Sequence, residues 1–294
     1  MKVRVATSIK RRSYRQQALE NLGKLPSMPA SAARLLARLS QRNCELGEVA
    51  EMVEQDPVLS AQVLQAANSA AFNRAQQIES VRHAIVMVGV GTIRKFALVR
   101  TVSNLFSRRR PARGFSLTRF NLHAVAVGVM MELLADEVPM EDRDGAFLAG
   151  LLHDVGALLI AVSLPEQYED VLAVAAVSGR PLESCEQEVL GTNHAELSAL
   201  AMEQWGLAEA IQVAAAHHHE PDSAALCATG SRVPLGLALY KADLLVDALG
   251  MSMLPAPPTL GLAPGIEFEG HAINQKRLFE RFAEEWKSIG LMLR

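Results

Sequence analysis

Apolar residues recur at helical spacing along most of the chain, and this periodicity limits the fold more than any other feature. In one segment, Leu59, Val63, Leu64 and Ala67 fall on a single helical face. The apolar content of 50% is mostly Ala, Leu and Val, with only 5% aromatic residues, which suits packed helices better than an aromatic-rich β-sandwich. The run IVMVGVG, residues 85–91, resembles a strand by itself, but its neighbours are helical, so we interpret it as a helix followed by a turn. The sequence therefore predicts an all-α fold.

Capping residues mark several of the predicted helix starts. Asp56-Pro57 is interpreted as an N-cap followed by proline at the first helical position, and Ser80 as a second N-cap. Asn193 begins a capping-box pattern, and Pro165 stands where a further helix would start. The predicted organisation is a lead-in over 1–19, an N-terminal helical lobe over 20–115, a second helical lobe over 116–250, and a loop with a C-terminal helix over 251–294.

Composition and charge exclude several classes of protein. The net charge of −3 provides no general attraction to nucleic acid or to an anionic membrane. The three cysteines are odd in number, far apart and in no CxxC pattern, so we expect neither a disulfide framework nor a cysteine zinc site. The N-terminus lacks the apolar run of about 7–15 residues found in signal peptides. Apolar stretches such as AFLAGLL are shorter than the roughly 18 residues needed to cross a bilayer. We expect a cytoplasmic protein.

The segment Arg108–Gly114 contains four arginines and no interleaved aromatic residue. This composition is more typical of a solvated connector than of a surface that binds nucleic acid. Direct binding of nucleic acid would rest on this connector and on Arg94-Lys95 alone, so we do not expect it.

The adjacent pair His153-Asp154 is the strongest functional signal from the residues alone. It follows the apolar run AFLAGLL and is predicted to lie late in an apolar helix that continues through Val155-Gly156. Burying an imidazole beside a carboxylate is costly unless both groups are paired or bound to a metal. Adjacent helical residues point about 100° apart, so a shared metal would lie beside the helix, with other helices completing the shell.

Further candidate ligands are spread over several predicted helices, as in metal sites built inside helical bundles. Imidazole and carboxylate are common metal ligands, although a single histidine is more often an ordinary hydrogen-bonded group, as we expect for His83 and His271. Asp243 alone could be a salt-bridge partner, and the run His217–His219 alone a polar helix end. The candidate metal ligands are His123, His153, Asp154, His194, His218, His219 and Asp243.

These residues occur in an order that resembles the HD superfamily of metal-dependent phosphohydrolases and, more specifically, the HDOD family of bacterial signalling proteins. The resemblance covers about residues 20–250 and includes several motifs in the family's order. They are Leu25-Pro26-xx-Pro29, Asp56-Pro57-Val58-Leu59, Ala67-Asn68-Ser69-Ala70-Ala71-Phe72, Ile78-xx-Ser80-xxx-Ala84-Ile85, AFLAGLLHDVG over 146–156, and His218-His219-Glu220-Pro221.

The resemblance implies an all-helical fold in which an N-terminal lobe packs on an HD-like lobe. It also implies two groups of ligands, the first formed by His123, His153, Asp154 and Asp243, and the second, in binuclear relatives, by His194, His218 and His219. HDOD proteins often lack some of these residues and are regarded as signalling outputs, whereas this chain keeps the set. No Gly-Tyr-Pro follows His219-Glu220, which counts against cleavage of cyclic di-GMP.

Two functions follow as expectations. The first is a signalling or regulatory protein that acts through a ligand or a partner, such as a nucleotide-like molecule or a separate signalling protein. The second is a metal-dependent phosphohydrolase in which Asp154 bridges two metals. The expected cofactor is one or two divalent ions, with iron or manganese favoured and nickel, zinc or magnesium as alternatives. The oligomeric state is left open, including a homo-oligomer.

Overall fold

The computed structural model describes residues 14–20, 30–69, 77–106, 110–220, 222–223, 232–254, 267–268 and 270–293. Within these ranges the chain is helical and contains no strand, only the isolated bridges Met140–Val233 and Phe268–His271. The predicted all-α fold is confirmed. One sequence motif, Leu25–Pro29, lies outside the described residues. So do the last residues of two others, 70–72 and Pro221, and the proline-rich segment 255–266.

Fifteen α-helices are present in the described ranges. They are α1 (14–20), α2 (Ala30–Ser40), α3 (Leu46–Glu54), α4 (Pro57–Ala67), α5 (Val81–Val88), α6 (Val90–Phe106), α7 (Leu117–Glu137), α8 (Ala146–Leu152), α9 (Val155–Ser163), α10 (Pro165–Ser178), α11 (Leu182–Val189), α12 (His194–Gln204), α13 (Glu209–His217), α14 (Leu235–Ala248) and α15 (Gln275–Leu293).

Several helices begin at the predicted caps. Asp56 Oδ1 accepts hydrogen bonds from two backbone N–H groups in the first turn of α4, at 2.9 and 3.0 Å. Ser80 and Asn193 cap α5 and α12 in the same way, at 3.1 and 2.9 Å. The side chain of Glu196 hydrogen-bonds to Thr192 at 2.6 Å. Local chemistry therefore determines where these helices start.

The predicted single helix through His153-Asp154 is wrong. Helix α8 ends at Leu152, α9 begins at Val155, and the pair occupies the turn between them. Asp154 has φ −100° and ψ 9°, outside the helical region. The backbone N–H of Gly156 donates to Ser198 Oγ of α12 at 2.8 Å, so a side chain outside the helix supports the first turn of α9. Tertiary contacts thus override the helical periodicity at this point.

Two glycines, Gly150 and Gly156, lie three residues before and three residues after His153, each at a close contact between helices. A Cβ atom at Gly150 would lie 2.7 Å from Cα of Gly128, so α8 approaches α7 more closely than any side chain permits. A Cβ atom at Gly156 would lie 2.0 Å from the carbonyl oxygen of His194, so α9 and α12 are in direct backbone contact. Glycine is therefore required at these crossings, which bring α7 and α12 to opposite sides of the His153-Asp154 turn.

Helix α15 joins the N-terminal helices to the rest of the fold, packing against α4, α6 and α7. Arg94 and Lys95 of α6 are buried and both pair with Glu132 of α7, and Lys95 Nζ also lies 2.6 Å from Glu285 of α15. These two basic side chains are therefore unavailable to a phosphate backbone, which removes one of the two observations that would favour binding of nucleic acid.

Two segments, 117–137 and 143–163, are long and apolar enough to cross a membrane by length and composition. Of their most apolar windows, 72% and 94% is buried inside the protein. Here the apolar residues form the core between helices, including Val127 and Met130 of α7 and Leu148 of α8. The fold thus already covers the surface that would otherwise face lipid.

Candidate metal centre

The structure brings all seven predicted ligands into one cluster. Their atoms form overlapping groups in which every ligand atom lies within 4.8 Å of the others. Five separate parts of the chain contribute: α7, the α8–α9 turn, the first residue of α12, the end of α13, and α14. The side chains involved are His123, His153, Asp154, His194, His218, His219 and Asp243.

One half of the cluster, the His153 subsite, consists of His123, His153, Asp243 and the Oδ2 atom of Asp154. Asp154 Oδ2 lies 3.5 Å from Nε2 of His123 and 3.4 Å from Nε2 of His153. The two histidine Nε2 atoms are 3.3 Å apart, and Asp243 Oδ1 lies 3.2 Å from Nε2 of His123. Four potential ligand atoms thus face a common point.

The other half, the His194 subsite, consists of His194, His218, His219 and the Oδ1 atom of Asp154. Asp154 Oδ1 lies 3.3 Å from Nε2 of His194 and 3.4 Å from Nε2 of His218. His219 Nε2 lies 2.7 Å from Nε2 of His194. Because its two oxygens face different histidine pairs, Asp154 connects the two subsites.

The separations of 3.2–3.5 Å match those of ligands around a metal ion, whereas the 2.7 Å between the Nε2 atoms of His194 and His219 is a hydrogen-bond distance. Metal–ligand distances of about 2.0–2.2 Å put neighbouring ligand atoms roughly 3.0–3.5 Å apart. Asp154 Oδ1 and His218 Nε2 are buried and make no hydrogen bond to the described part of the chain, although buried polar groups nearly always have a partner. A divalent ion between them would satisfy both atoms. The residues present therefore fit one or two metal ions.

Hydrogen bonds at Nδ1 orient four of the imidazoles so that their Nε2 atoms face the centre of the cluster. The Nδ1 atoms of His123, His153 and His218 face the backbone carbonyls of Met251, Gly150 and Ala215 at 3.0, 2.7 and 2.7 Å. The Nδ1 atom of His194 faces Glu186 Oε2 at 2.7 Å. An oxygen of this kind can only accept, so each Nδ1 carries the hydrogen and each Nε2 is left for the centre of the cluster. Metal-binding histidines have the same arrangement.

Acidic groups around the cluster favour positive charge within it. Burial opposes the charged form of His123, but its hydrogen bond with Asp243 and nearby negative charges raise the pKa of His123 to about 9. Burial is likewise outweighed at His194, whose pKa rises to about 10 beside Glu186 and Asp154. Protons supply this charge when no metal is bound. A metal ion bound here would have to displace them, so its binding would release protons and would strengthen as pH rises.

Three other candidate ligands, Asp154, Asp243 and His219, are already in the form that binds metal. Burial opposes ionisation of Asp154, yet the charge of His153 and its neighbours holds the pKa of Asp154 well below its usual range. Asp243 is partly buried, which also opposes its ionisation, but its hydrogen bond with His123 lowers its pKa to about 2. Burial and neighbouring imidazoles lower the pKa of His219 to about 2, so that its ring is neutral.

The other histidines within the described residues lie apart from the cluster. His217 hydrogen-bonds to Glu220 at 3.1 Å, and its side chain is 34% exposed. His83 is exposed and His271 is partly buried, and neither belongs to a group that could hold a metal. Their placement agrees with the sequence-based interpretation of these residues as ordinary polar groups.

Four residues near the cluster were missed in the sequence. Asp247 lies one helical turn after Asp243 and 3.6 Å from Nδ1 of His123, and this i, i+4 spacing was a usable signal. Glu186 is fully buried on the apolar face of α11, where a glutamate is unusual. Tyr168, its hydrogen-bond partner, and Arg180 carry no comparable signal in the sequence.

A cavity of about 620 Å³ opens onto the cluster. Its polar wall includes ligands of both subsites together with Asp247, and its other walls come from α10, the start of α11 and the segment after α14. Those walls are mostly apolar, with Leu172, Ala175, Leu182 and Met253 among them. A site that combines an apolar wall with a few convergent polar groups suits a small organic ligand.

Among the described residues that line this cavity, Arg180 is the only lysine or arginine. It lies between α10 and α11, where it pairs with Glu188 at 2.6 Å. Arg82 and Lys241 do not line the cavity. The Lys241 ammonium instead lies 5.3 Å from the centre of the Phe268 ring.

The fold and the cluster together define a helical protein with a mixed histidine and aspartate site that can hold a metal. A family model of the HDOD domain matches residues 25–221, and the chain belongs to the HDOD domain family. The resemblance noted in the sequence is thereby confirmed.

Solved structures show the same fold. An HDOD domain protein of unknown function from Geobacter sulfurreducens has a TM-score of 0.74 at 20% identity, covering 96% of this chain and 98% of that one. A candidate signal transduction protein from Marinobacter aquaeolei VT8 has a TM-score of 0.73 at 21% identity, covering 97% of this chain and 67% of that one. A candidate phosphohydrolase from Shewanella amazonensis SB2B has a TM-score of 0.66 at 23% identity, covering 95% and 98%.

Two sequence relatives match this chain over part of their own length. An uncharacterized protein of Treponema pallidum (strain Nichols) is 19% identical over 206 residues, which cover 68% of this chain. The uncharacterized protein YuxH of Bacillus subtilis (strain 168) is 26% identical over 160 residues, which cover 45% of this chain. The matched regions span only 38% and 39% of those two relatives.

Proposed function

We propose that this chain is a cytoplasmic bacterial signal-transduction protein that holds a binuclear divalent metal centre and hydrolyses a nucleotide-like phosphoester there. The observation that carries the proposal is that four imidazoles direct Nε2 towards Asp154 while their Nδ1 atoms are hydrogen-bonded outside the cluster. The two oxygens of Asp154 face separate histidine pairs. The mixture of imidazole and carboxylate favours iron or manganese over magnesium, which prefers oxygen ligands.

The cavity supports hydrolysis as the reaction. Two divalent ions, when bound, can supply an activated water and stabilise the charge of a phosphoryl group under attack. Asp154, Asp243, His194 and His219 all line the cavity, so a ligand within it reaches both subsites. The apolar walls around Leu172 and Leu182 would receive the organic part of the ester and keep bulk water from it.

Metal content tests the centre. The protein is purified without chelator and its metals are measured beside those of the His153→Ala variant. We expect about two equivalents of iron or manganese in the wild type and about one in the variant, because the variant removes a ligand of the His153 subsite alone. A wild type that binds no divalent metal, even after reconstitution with Mn²⁺ or Fe²⁺, would overturn the proposal.

A second candidate function is a signalling module that binds the same ligand without turnover. It is favoured by the relation to HDOD proteins, one of which is a candidate signal transduction protein. An assay of the metal-loaded protein with p-nitrophenyl phosphate and bis-p-nitrophenyl phosphate distinguishes the two functions. Release of nitrophenol that is lost in the His153→Ala variant supports the hydrolase. Metal loading with no release from any nucleotide or nitrophenyl ester supports the binding module.

Arg180 is expected to contact the phosphate or another anionic group of the ligand. The variant Arg180→Ala should raise KM by about tenfold and leave kcat nearly unchanged, since it removes a charge-assisted hydrogen bond that holds the ligand equally well before and during the reaction. Steady-state kinetics with a phosphoester substrate measures both constants. The variant Arg277→Ala removes the same charge from exposed α15 and serves as the control. Equal KM values for Arg180→Ala and the wild type would contradict this role.

A further inference from the structure

Glu186 is a fully buried carboxylate whose hydrogen bonds lead directly to one metal ligand. Its Oε2 atom accepts from both the backbone N–H and the Nδ1–H of His194, each at 2.7 Å. Its Oε1 atom accepts from the hydroxyl of Tyr168 at 3.1 Å. Tyr168 and Glu186 are both completely buried. The contacts fix the imidazole of His194 in position and rotation at the start of α12.

Among the described residues, no carboxylate lies within hydrogen-bond distance of Nδ1 of the other inward-facing histidines. Asp247 Oδ1 is 3.6 Å from Nδ1 of His123, too far for a hydrogen bond. His123, His153 and His218 each direct Nδ1 to a backbone carbonyl, which is neutral. A carboxylate acceptor makes an imidazole a stronger electron donor than a carbonyl does, because its negative charge stabilises positive charge on the ring. The two subsites are therefore chemically different. In the His153 subsite the second carboxylate, Asp243, is itself a candidate ligand. In the His194 subsite the second carboxylate, Glu186, instead hydrogen-bonds to Nδ1 of the candidate ligand His194.

We propose that Glu186, held by Tyr168, is a positioning residue that controls metal affinity at the His194 subsite and leaves the His153 subsite largely unaffected. This inference rests on the proposed binuclear centre. Burial and the adjacent carboxylate hold the pKa of Tyr168 well above its usual range, so its hydroxyl stays a donor to Glu186. The Tyr168–Glu186–His194 chain thus links α10, α11 and α12 behind one subsite.

The experiment is a titration of the metal-free protein with Co²⁺, followed by calorimetry and by the visible absorption spectrum of the bound ion. The test variant is Glu186→Gln, which keeps an acceptor oxygen for His194 but removes the negative charge. We expect one ion to bind as in the wild type and the other to bind about 10–100-fold more weakly, the usual effect of changing an outer partner of a ligand. The spectrum of the unaffected ion should be unchanged.

Two further variants define the mechanism. Tyr168→Phe should weaken the same ion by a smaller factor, and it provides an independent test if Glu186→Gln does not fold. Glu188→Gln alters an exposed carboxylate two residues along α11 and should leave both ions unchanged. Combining Glu186→Gln with Asp243→Asn, which weakens the opposite subsite, should weaken both ions.

The outcomes are distinguishable from a failure of the proposed function. Two Co²⁺ ions in the wild type with unchanged affinities in Glu186→Gln and Tyr168→Phe would overturn the role of Glu186 alone. Equal weakening of both ions would overturn it as well, because a general structural defect has that effect. A wild type that binds no Co²⁺ would overturn both this inference and the proposed centre.

Discussion

The variant Asp154→Asn should weaken metal binding at both subsites, each by at least about 100-fold. Changing a residue that only contacts a ligand costs up to about 100-fold in metal affinity, and the loss of a shared ligand should cost no less. The reason is geometric, because each oxygen of Asp154 lies 3.3–3.5 Å from the Nε2 atoms of a different histidine pair. Asparagine keeps the size of the side chain but removes the charge and turns one of these positions into an N–H donor. Isothermal titration of the metal-free variant with Mn²⁺ measures the result, and hydrolysis should fall to background.

Asp243→Asn is the matched control for that prediction. It makes the same change of carboxylate to amide, but Asp243 lies near His123 and His153 of a single subsite. We expect it to weaken one ion and leave the other close to its wild-type affinity. If Asp154→Asn also retained one ion at full affinity, Asp154 would not be a shared ligand.

Gly156→Ala should lower the free energy of unfolding by about 3 kcal/mol, at the upper end of what overpacking costs. The added Cβ atom would lie 2.0 Å from the carbonyl oxygen of His194 and 2.8 Å from the backbone nitrogen of Ser198. Both are backbone atoms, so relief requires α9 and α12 to separate. Urea denaturation of the metal-free protein measures the loss, and metal binding should weaken too because His194 moves away from Asp154.

Gly290→Ala provides the comparison. Gly290 lies inside α15, and within the described ranges no neighbouring atom lies within 4 Å of the position that a Cβ would take. Alanine there should stabilise the protein by up to about 1 kcal/mol through its higher helix propensity. If Gly156→Ala unfolded at the same urea concentration as the wild type, the close contact between α9 and α12 would not exist in solution.

Much of this architecture could be predicted because helices depend on local signals. Apolar periodicity and the caps at Asp56, Ser80 and Asn193 located helices correctly, since these features act within a few residues. The seven clustered side chains could be named because histidine and aspartate in apolar helices are costly without a partner. Whether they bind metal stays a prediction, as does the division of the chain near residue 115.

What the sequence could not provide depends on contacts between distant segments. The turn at His153-Asp154 lies within a helical pattern and is supported by Ser198, more than forty positions along the chain. Likewise, Glu186 matters because the fold places it against His194, and nothing in the pattern of α11 names that partner. Such tertiary contacts leave little trace in a single sequence.

Helix α14 distinguishes family members that have all seven candidate ligands from members that do not. The family match ends at residue 221, whereas Asp243 and Asp247 lie beyond it on α14. Two chains could therefore share the whole matched signature and differ in whether the His153 subsite is complete. The same reasoning applies to truncation, because a fragment ending at residue 221 would retain six of the seven clustered residues but neither carboxylate of α14. Inspecting this one helix is thus an inexpensive way to separate members with a full set of ligands from members without one.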